Sequence, residues 1–448
     1  MLKDKLSTEI SKIFKNYLKE KYNLELLVFA EEPPNLKFGD ICFSFPLKIS
    51  RDLKEKPFEI AKKISNELSD LFFPHKLFPA SPGYINIFFD KNYFVNSLKD
   101  FEEEKERKKE KIIVEHTNIN PNKAAHIGHL RNAILGDTIV NFYRHLNYNV
   151  EVHNYIDNTG VQVADVVLGL LYLEKKGLEF LDIEKLDYYT WDLYSKVSKI
   201  IEEDKSYLNL RNEILKKIEE GIEPEKSYAK KLSERMMLCH LKTMERLDIK
   251  YDVLPKESEI LNSKLWDKTF SLLKEKKAIL FEEEGKRKGC WVLPLKGKEE
   301  FKTEEEPDKI LVRSNGTVTY TGKDIAYQLW KFGILKASFG FKPFYKYKDG
   351  KIVYESTSEK SENDFPFGNG DLVINVIDIR QSYLQKVVKE ALKLLGYDKE
   401  SENSIHFSYE MVVLSEKLAK QMGFEELKIS GRKGVGIKAD DFIDSLIE

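Results

Sequence analysis

The stretch from Ile112 to Asp137 constrains the fold of this chain more than any other part of its sequence. It begins with an apolar run, residues 112–114, that is typical of a buried strand. A polar loop with a proline follows over residues 117–123, and beyond it apolar residues recur at helical spacing, at Ile127, Leu130, Ile134 and Leu135. The stretch therefore predicts a strand, a loop and a helix in direct succession.

The start of the predicted helix carries His126, Gly128 and His129. Backbone N–H groups and the helix dipole favour an anion at such a helix N-terminus. Gly128 has no Cβ to keep a ligand away, and two histidines three residues apart lie on one helical face. The alternative is that both histidines are ordinary helix residues, one solvated and one packed. Because the motif lies at the junction between a predicted strand and a predicted helix, we favour a phosphate site.

Composition excludes several classes of protein. The chain has 448 residues and 42% hydrophobic content, enough for two or three domains with a large core, and no apolar run approaches the length of a membrane span. The N-terminus has no secretory signal, and Cys42, Cys239 and Cys290 are too far apart to indicate a zinc site or a disulfide framework. We therefore expect a cytoplasmic protein. Its 73 basic and 75 acidic residues argue against binding to nucleic acid by bulk charge alone.

The rest of the chain predicts an α/β protein. Residues 1–105 alternate helical and strand patterns and predict a small α+β domain, which a charged linker separates from the rest. A strongly helical section follows, then a hairpin around Gly285, and then a surface hairpin and loop over residues 339–371. Residues 372–396 again predict a buried strand, a loop and a helix, which supply the second half of a parallel sheet.

A basic segment near the end of the chain, KISGRKG at 428–434, suits the same phosphate chemistry. Cations on such a segment would neutralise the negative charge of a bound phosphate from the side opposite the histidines. Lys428, Arg432 and Lys433 supply the charge, and the flanking glycines supply flexibility. The alternative is a plain basic loop in solvent.

These two segments resemble the signature motifs of one family. Residues 114–160 resemble the H-I-G-H segment of class I aminoacyl-tRNA synthetases, specifically of arginyl-tRNA synthetases, and KISGRKG resembles their K-M-S-K-type loop, with Ile429 where methionine is usual. The resemblance implies that L-arginine is activated with ATP and Mg²⁺ to arginyl-adenylate and transferred to the terminal adenosine of tRNA(Arg), with no dedicated protein metal site. It implies catalytic roles for His126, His129, Lys123, Lys428 and Lys433. It implies ATP contacts from Gly128, His126, His129, Asp378, Ser430 and Arg432.

Arginine selectivity makes a separate demand. A guanidinium is planar and permanently charged, so its pocket should contain carboxylates and a flat neighbour. Tyr320 and Asp324 stand four residues apart, although Asp324 taken alone is equally typical of a helix N-cap. The resemblance implies that both contact the substrate side chain, together with Glu115, Asn120 and Gln381. At this last site the chain departs from the common Asp-Gln pattern, with Asp378-Ile379, and the sequence leaves open whether Gln381 supplies the missing amide.

The resemblance also implies a domain plan. Residues 1–105 correspond to an appended domain that contacts tRNA, residues 111–400 to a Rossmann-like catalytic domain with a largely helical insertion at about 170–310, and residues 401–448 to the mobile-loop region. We expect a monomer with no membrane contact, and no anticodon-binding domain within these 448 residues. Two alternatives stay open: a truncated paralogue that charges another acceptor, and a non-catalytic RNA-binding module on the same fold.

Overall fold

The computed structural model describes residues 2–99, 107–302, 305–336, 339–358, 365–413, 415, 417 and 436–447. The chain forms two compact units, Met1–Lys105 and Glu106–Glu448. Within the described residues, none of the helices combines the length and apolar character that a bilayer crossing requires.

The N-terminal unit is an α+β domain with its own core. Its three-stranded antiparallel sheet has the order β1-β3-β2, and Phe14 lies at the centre of the core, fully buried and in ring contact with Phe43, Phe45 and Phe72. The four-residue steps of helix α1 place Ile10, Phe14 and Leu18 on one buried face. The elements are α1 (Leu2–Tyr22), β1 (Ile41–Phe43), α2 (Phe45–Leu53), α3 (Pro57–Leu68), β2 (Lys76–Ala80), β3 (Tyr84–Phe88) and α4 (Lys91–Lys99).

A seven-stranded sheet organises the second unit. Its order is β10-β11-β6-β5-β4-β12-β13, and every neighbouring pair is parallel except β10 with β11. The strands are β4 (Lys111–Glu115), β5 (Asn149–His153), β6 (Val253–Leu254), β10 (Gly340–Lys346), β11 (Ile352–Thr357), β12 (Leu372–Asp378) and β13 (Ser404–Tyr409). The α/β class with a Rossmann-like parallel sheet is therefore confirmed.

Helices and a second, small sheet surround this core. The small antiparallel sheet has the order β7-β8-β9, from Leu280–Phe281, Trp291–Leu293 and Lys309–Val312. The helices are α5 (Ile127–His145), α6 (Val161–Val167), α7 (Leu186–Glu203), α8 (Ser206–Glu220), α9 (Glu225–Glu245), α10 (Glu257–Asn262), α11 (Leu265–Glu275), α12 (Tyr320–Lys331), α13 (Ser382–Leu394), α14 (Asp398–Glu402) and α15 (Ala439–Ile447).

Two features differ from the pattern that the sequence predicts. Strand β6 lies inside the span expected for the insertion, yet it pairs with β5 and β11 in the main sheet. The predicted hairpin at 339–371 exists as β10 and β11, and β11 also pairs with β6, so the hairpin extends the main sheet, a pairing that the sequence did not predict. Hydrophobic periodicity predicts the type of an element and carries no information about its partner across the sheet.

The order of the strands determines where a ligand binds. From β4 the chain continues to β5 on one side, and β12 pairs with β4 on the other, so the strand order reverses between β4 and β12. In open parallel sheets, ligands bind outside the carboxyl ends of the strands at such a reversal. Glu115 is the last residue of β4 and Asp378 the last of β12, so both lie at this crevice.

Candidate active site

Helix α5 begins with a reciprocal histidine cap. His126 is its N-cap, and the Nδ1 atom of His126 accepts hydrogen bonds from the backbone N–H groups of Gly128 (3.1 Å) and His129 (3.4 Å). In return, the Nδ1 atom of His129 accepts from the backbone N–H of His126 (3.2 Å). The two imidazoles stack with their centroids 3.7 Å apart. This is a capping box made of two histidines, and it orients both rings.

The cap also determines the charge of the pair. Because both Nδ1 atoms accept hydrogen bonds, the ring proton of each histidine resides on Nε2, which is left to donate to a ligand. Burial and the nearby Lys123 ammonium lower the pKa of His126 to about 4. Burial and the neighbouring His126 hold the pKa of His129 well below its usual value. The pair therefore acts as neutral N–H donors at physiological pH, and the positive charge comes from elsewhere.

Lys123 supplies one such charge. Its side chain is buried, with Nζ 5.0 Å from the ring centroid of Tyr194 and 5.7 Å from that of Trp191, both on α7. The ring of His126 meets the same Trp191 edge-on, at 6.3 Å. Cation–π contact with two aromatic rings holds the ammonium beside the histidine cap. Trp191 and Tyr194 are therefore buried core residues that also hold the Lys123 ammonium in place.

The loop between β4 and α5 is strained and tightly held. Thr117 and Asn118 adopt positive φ angles of 78° and 46°, a conformation that is rare for a β-branched residue such as threonine. The backbone N–H of Thr117 donates to Asn132 Oδ1 (2.6 Å), and that of Asn118 donates to Asn154 Oδ1 (2.9 Å). Asn118 Nδ2 donates to Glu115 Oε1 (2.7 Å). Backbone strain that the surroundings enforce in this way is typical of functional loops.

Glu115 is already paired with a cation of the protein. Lys331 Nζ contacts Glu115 Oε2 at 2.5 Å and also donates to Asn375 Oδ1 at 2.8 Å, and all three side chains are buried. Asn375 in turn donates to Gln385 Oε1 (3.0 Å) on α13. This network joins the ends of β4 and β12 to α12 and α13. Glu115 therefore faces the site as half of a neutral ion pair.

Asp324 has no such partner. It lies in the first half of α12, whose N-cap is Thr319, so the alternative that Asp324 is itself a helix cap is wrong. Among the residues that the structure describes, its carboxyl group makes no hydrogen bond and no ion pair. Burial, together with the nearby carboxylates of Glu257 and Glu115, raises its pKa to about 8. A half-buried carboxyl group with a raised pKa and no hydrogen-bond partner among the described residues is typical of a site that binds a cation.

Further charged groups surround a cavity of about 650 Å³ in this region. Asn120 and Tyr320 line it, as do Asp157, Glu257 and Lys323. Glu257 pairs with Lys323 and accepts a hydrogen bond from Thr159 Oγ1 (2.9 Å). Burial and the charge of Glu257 raise the pKa of Asp157 to about 7, and its Oδ1 atom has no hydrogen-bond partner among the described residues. The cavity is therefore polar and rich in carboxylates.

The remaining predicted site residues are placed differently. Asp378 accepts hydrogen bonds from Arg380, which outweigh the effect of burial and lower the pKa of the carboxyl group. Gln381 is exposed, and Gln385, one turn later, is the amide that reaches the Glu115 network through Asn375. Four predicted residues lie outside the described part of the chain: Lys428, Ser430, Arg432 and Lys433.

Sequence reasoning missed the two lysines and the glutamate that balance this site, Lys323, Lys331 and Glu257. A signal for Lys331 was present, because Asp324, Tyr327 and Lys331 follow one another at three- and four-residue steps on one face of α12. Glu257 gave no signal, since it reaches the site from the short helix α10, 67 residues before Asp324.

Comparisons with known proteins show the family to which the chain belongs. The profile described as "tRNA synthetases class I (R), catalytic domain" matches residues 93–339, and that of "Arginyl tRNA synthetase N terminal domain" matches residues 1–89. The chain is 36% identical to the arginine–tRNA ligase of Thermococcus sibiricus over 100% of its own length and 72% of that protein. It is 35% identical to the ligase of Thermococcus kodakarensis, covering 93% of this chain and 66% of the relative.

A solved structure extends the likeness to three dimensions. The Thermus thermophilus arginyl-tRNA synthetase superposes with a TM-score of 0.67 at 29% identity, covering 98% of this chain and 69% of that one. The chain thus spans about two thirds to three quarters of the length of these relatives. Profile, sequence and fold agree, and the chain belongs to the arginyl-tRNA synthetase family of class I aminoacyl-tRNA synthetases.

Proposed function

We propose that this chain is an arginine–tRNA ligase, which activates L-arginine with ATP and transfers it through arginyl-adenylate to the terminal adenosine of tRNA(Arg). The observation that carries the proposal is a pair of unlike sites at the two ends of one loop. At residue 126 the loop ends in two neutral imidazole donors at a helix N-terminus, and at residue 115 it begins beside the unpartnered carboxyl group of Asp324. One loop therefore connects a site suited to phosphates with a site suited to a cation.

The nucleotide side fits the phosphates of ATP. Two Nε2–H groups, the N-terminus of α5 and the Lys123 ammonium all offer hydrogen or positive charge to an anion. A Cβ at residue 128 would lie 2.9 Å from His126 Cε1, so only glycine leaves the cap undisturbed. We propose that His126, His129, Lys123 and Gly128 bind the phosphates, and that Mg²⁺ binds with ATP and neutralises its charge.

The amino-acid side fits a guanidinium. We propose that an arginine side chain entering the cavity, which Tyr320 and Lys323 of α12 line, pairs with the carboxyl group of Asp324 on the same helix, with Glu257 nearby as a second carboxylate. Tyr320 and Asn120 line the cavity, and we propose that they contact the substrate there. Glu115 contributes negative charge that Lys331 already balances, so we assign it a weaker contact than Asp324.

The basic segment completes the proposal. The described chain resumes at Gly436, two residues after Gly434, and Ile437 then hydrogen-bonds to the start of α5. We propose that Lys428, Ser430, Arg432 and Lys433 neutralise the charge of the triphosphate, and that Asp378, at the end of β12, contacts ATP. Gln381 is the least supported of the proposed arginine contacts because Gln385 occupies the inward position. We further propose a monomer in the cytoplasm, with residues 1–105 contacting the tRNA.

Exchange of pyrophosphate into ATP tests the proposal. We expect exchange that requires L-arginine and tRNA(Arg), and charging of the tRNA in the same mixture. Asp324→Asn should raise the KM for arginine by about 100-fold while that for ATP stays within about twofold, since a charge-assisted pair contributes about 1.5–3 kcal/mol. The exposed Asp192 of α7, changed to Asn, is the matched control. Exchange that ignores arginine, or equal effects on both substrates, would contradict the assignment.

A further inference from the structure

A short segment after the basic loop is joined to the histidine cap by backbone hydrogen bonds. The backbone N–H of Ile127 donates to Ile437 O (3.1 Å), and that of Ala439 donates to Ala125 O (2.8 Å). His126 and Lys438 face each other across the antiparallel bridge that results. The residues on both sides of His126 are therefore held by residues 437–439.

The next residue of this segment, Asp440, fixes it to the helical section of the second unit. Its buried carboxylate accepts hydrogen bonds from Lys185 Nζ (2.7 Å), Thr243 Oγ1 (3.2 Å) and Arg246 Nη1 (2.9 Å). Lys185 immediately precedes α7, Thr243 lies in the last turn of α9, and Arg246 directly follows it. Burial alone would raise the pKa of this carboxyl group, but the bonds from Lys185 and Arg246 outweigh burial and keep it below its usual range. Asp440 is thus an ionised anchor between α15 and two other helices.

The orientation of both imidazoles depends on the backbone that this segment holds. His126 caps α5, and its own backbone N–H binds His129 Nδ1, so a shift of residues 125–127 would move both Nε2–H donors together. Catalysis by oriented donors is sensitive to displacements of about 1 Å. The carboxylate of Asp440 is hydrogen-bonded to Lys185, Thr243 and Arg246 and not to either imidazole, so we infer that its influence passes through the backbone.

We propose that Asp440 is a positioning residue for adenylate formation, which holds the His126–His129 pair in its donating orientation. The proposal rests on the proposed function, since it assigns Asp440 to the same reaction. It predicts that the charge of Asp440 matters for the chemical step and has little bearing on how arginine is held, because the Asp324 site lies at the other end of the loop.

The test compares two aspartates that share one arginine. Asp444 also pairs with Arg246, but its side chain is 61% exposed, whereas the carboxylate of Asp440 is buried and also accepts from Lys185 and Thr243. We expect Asp440→Asn to lower the kcat of arginine- and tRNA-dependent pyrophosphate exchange about tenfold, with the KM for arginine within about twofold. Asp444→Asn should leave both values unchanged. Equal kcat values in the two variants, or a rise in the KM for arginine that matches the loss in kcat, would overturn the proposal.

A spectroscopic measurement tests the orientation of the two histidine rings independently of catalytic activity. In the intact chain with ¹⁵N-labelled histidine, the ring signals of His126 and His129 should show neutral Nε2–H tautomers, and Asp440→Asn should shift both while that of His75, in the N-terminal unit, stays fixed. Unmoved His126 and His129 signals would overturn the proposal even if exchange activity fell. A wild-type chain without exchange would contradict the proposed function, and the signals would still decide on Asp440. If Asp440→Asn does not fold, Lys185→Met removes one of its partners and is read in the same way.

Discussion

At the scale of single residues, the site depends on groups whose usual charge has been changed. Two histidines are kept neutral by burial and by a cap that leaves only Nε2–H to donate, so they stabilise negative charge as dipoles. Asp324 retains its proton to about pH 8 because it is buried near other carboxylates. Under the proposed function, the substrates would supply part of the charge: the guanidinium of arginine would ionise Asp324, and the phosphates of ATP would meet neutral donors beside Lys123.

The first prediction separates the two roles of His126. Asparagine is a good N-cap and has no imidazole, so His126→Asn should keep the free energy of unfolding within about 0.5 kcal/mol of wild type, while His126→Ala should lose about 1 kcal/mol. Both should lower the kcat of pyrophosphate exchange about 100-fold, because one donor to the developing charge is gone. Urea unfolding and steady-state exchange measure the two effects. Full activity in His126→Asn would show that the imidazole serves only as a cap.

The second prediction concerns pH. We propose that arginine binds the ionised form of Asp324, whose pKa is raised to about 8 in the free protein, so binding below that pH should release a proton. The KM for arginine should therefore fall as pH rises from 6 toward 8 and then level off. Asp324→Asn should have a high KM with little slope over this range. Calorimetry in buffers of different ionisation enthalpy measures the proton release, and a wild-type KM that does not vary between pH 6 and 8 would contradict the raised pKa.

The same group affects stability with a definite sign. A folded-state pKa above the unfolded value means that the folded chain binds the proton more tightly, so this group's contribution to the free energy of unfolding falls as pH rises from about 4 to about 8. Bound arginine should offset that loss, because the guanidinium pairs with the ionised carboxylate.

At the scale of elements, contacts with the sheet and its loops fix the position of helix α5. Asn132, one turn past the histidines, donates to Val376 O (2.8 Å) on β12 and to the Tyr409 hydroxyl (2.9 Å) on β13, and it accepts from Thr117 N–H. A further turn along, Gly136 lies directly against the buried ring of His116. The cap can be oriented because the helix behind it is fixed against two strands of the sheet and against the loop that follows β4.

The third prediction tests that close approach. A Cβ at residue 136 would lie 2.2–2.6 Å from His116 ring and Cβ atoms, which cannot move freely in a filled core. Gly136→Ala should therefore cost about 1–3 kcal/mol, although Gly→Ala in an exposed helix interior usually stabilises by about 1 kcal/mol. Thr138→Ala, on the same helix at an exposed position, is the control. Denaturant unfolding gives the sign, and a more stable Gly136→Ala would show that the helix can shift.

At the scale of the whole molecule, each of the two units has its own core. The N-terminal unit buries an aromatic cluster around Phe14, and the second unit buries separate clusters on both faces of its seven-stranded sheet and among its insertion helices. Every residue of the proposed catalytic site that the structure describes belongs to the second unit. Chemistry and the proposed tRNA contact of residues 1–105 are thereby assigned to different bodies.

The fourth prediction uses that separation. Phe14→Ala removes a fully buried ring and should destabilise the N-terminal unit by about 3–5 kcal/mol. Calorimetry on the full chain should show an unchanged affinity for arginine, because the proposed arginine site lies in the second unit, which has its own core. Hydrogen exchange resolved by segment would show faster exchange within residues 2–99 alone. Equal loss of protection in α5 would mean that the two units unfold together.

Much of this protein follows from local chemistry. Apolar alternation and helical spacing predicted the strand–loop–helix units at 112–137 and 372–396, and the side chains at their junctions pointed to phosphates and a cation. The predicted strand–loop–helix units are confirmed, because a buried face imposes its period on the residues next to it in sequence, whereas the phosphate and cation sites stay predictions. The cap of α5 and the position of Asp324 were within reach in the same way, since each involves residues within one or two turns.

Contacts between distant segments were decided only by the tertiary structure. Sequence could not show that Lys331 neutralises Glu115, 216 residues away, that Glu257 raises the pKa of Asp324, or that β6 enters the main sheet. The same holds for Asp440, which reaches across the fold to Lys185 and Arg246. The physical reason is that a pKa and an ion pair depend on separation and burial in space, and periodicity along the chain carries neither.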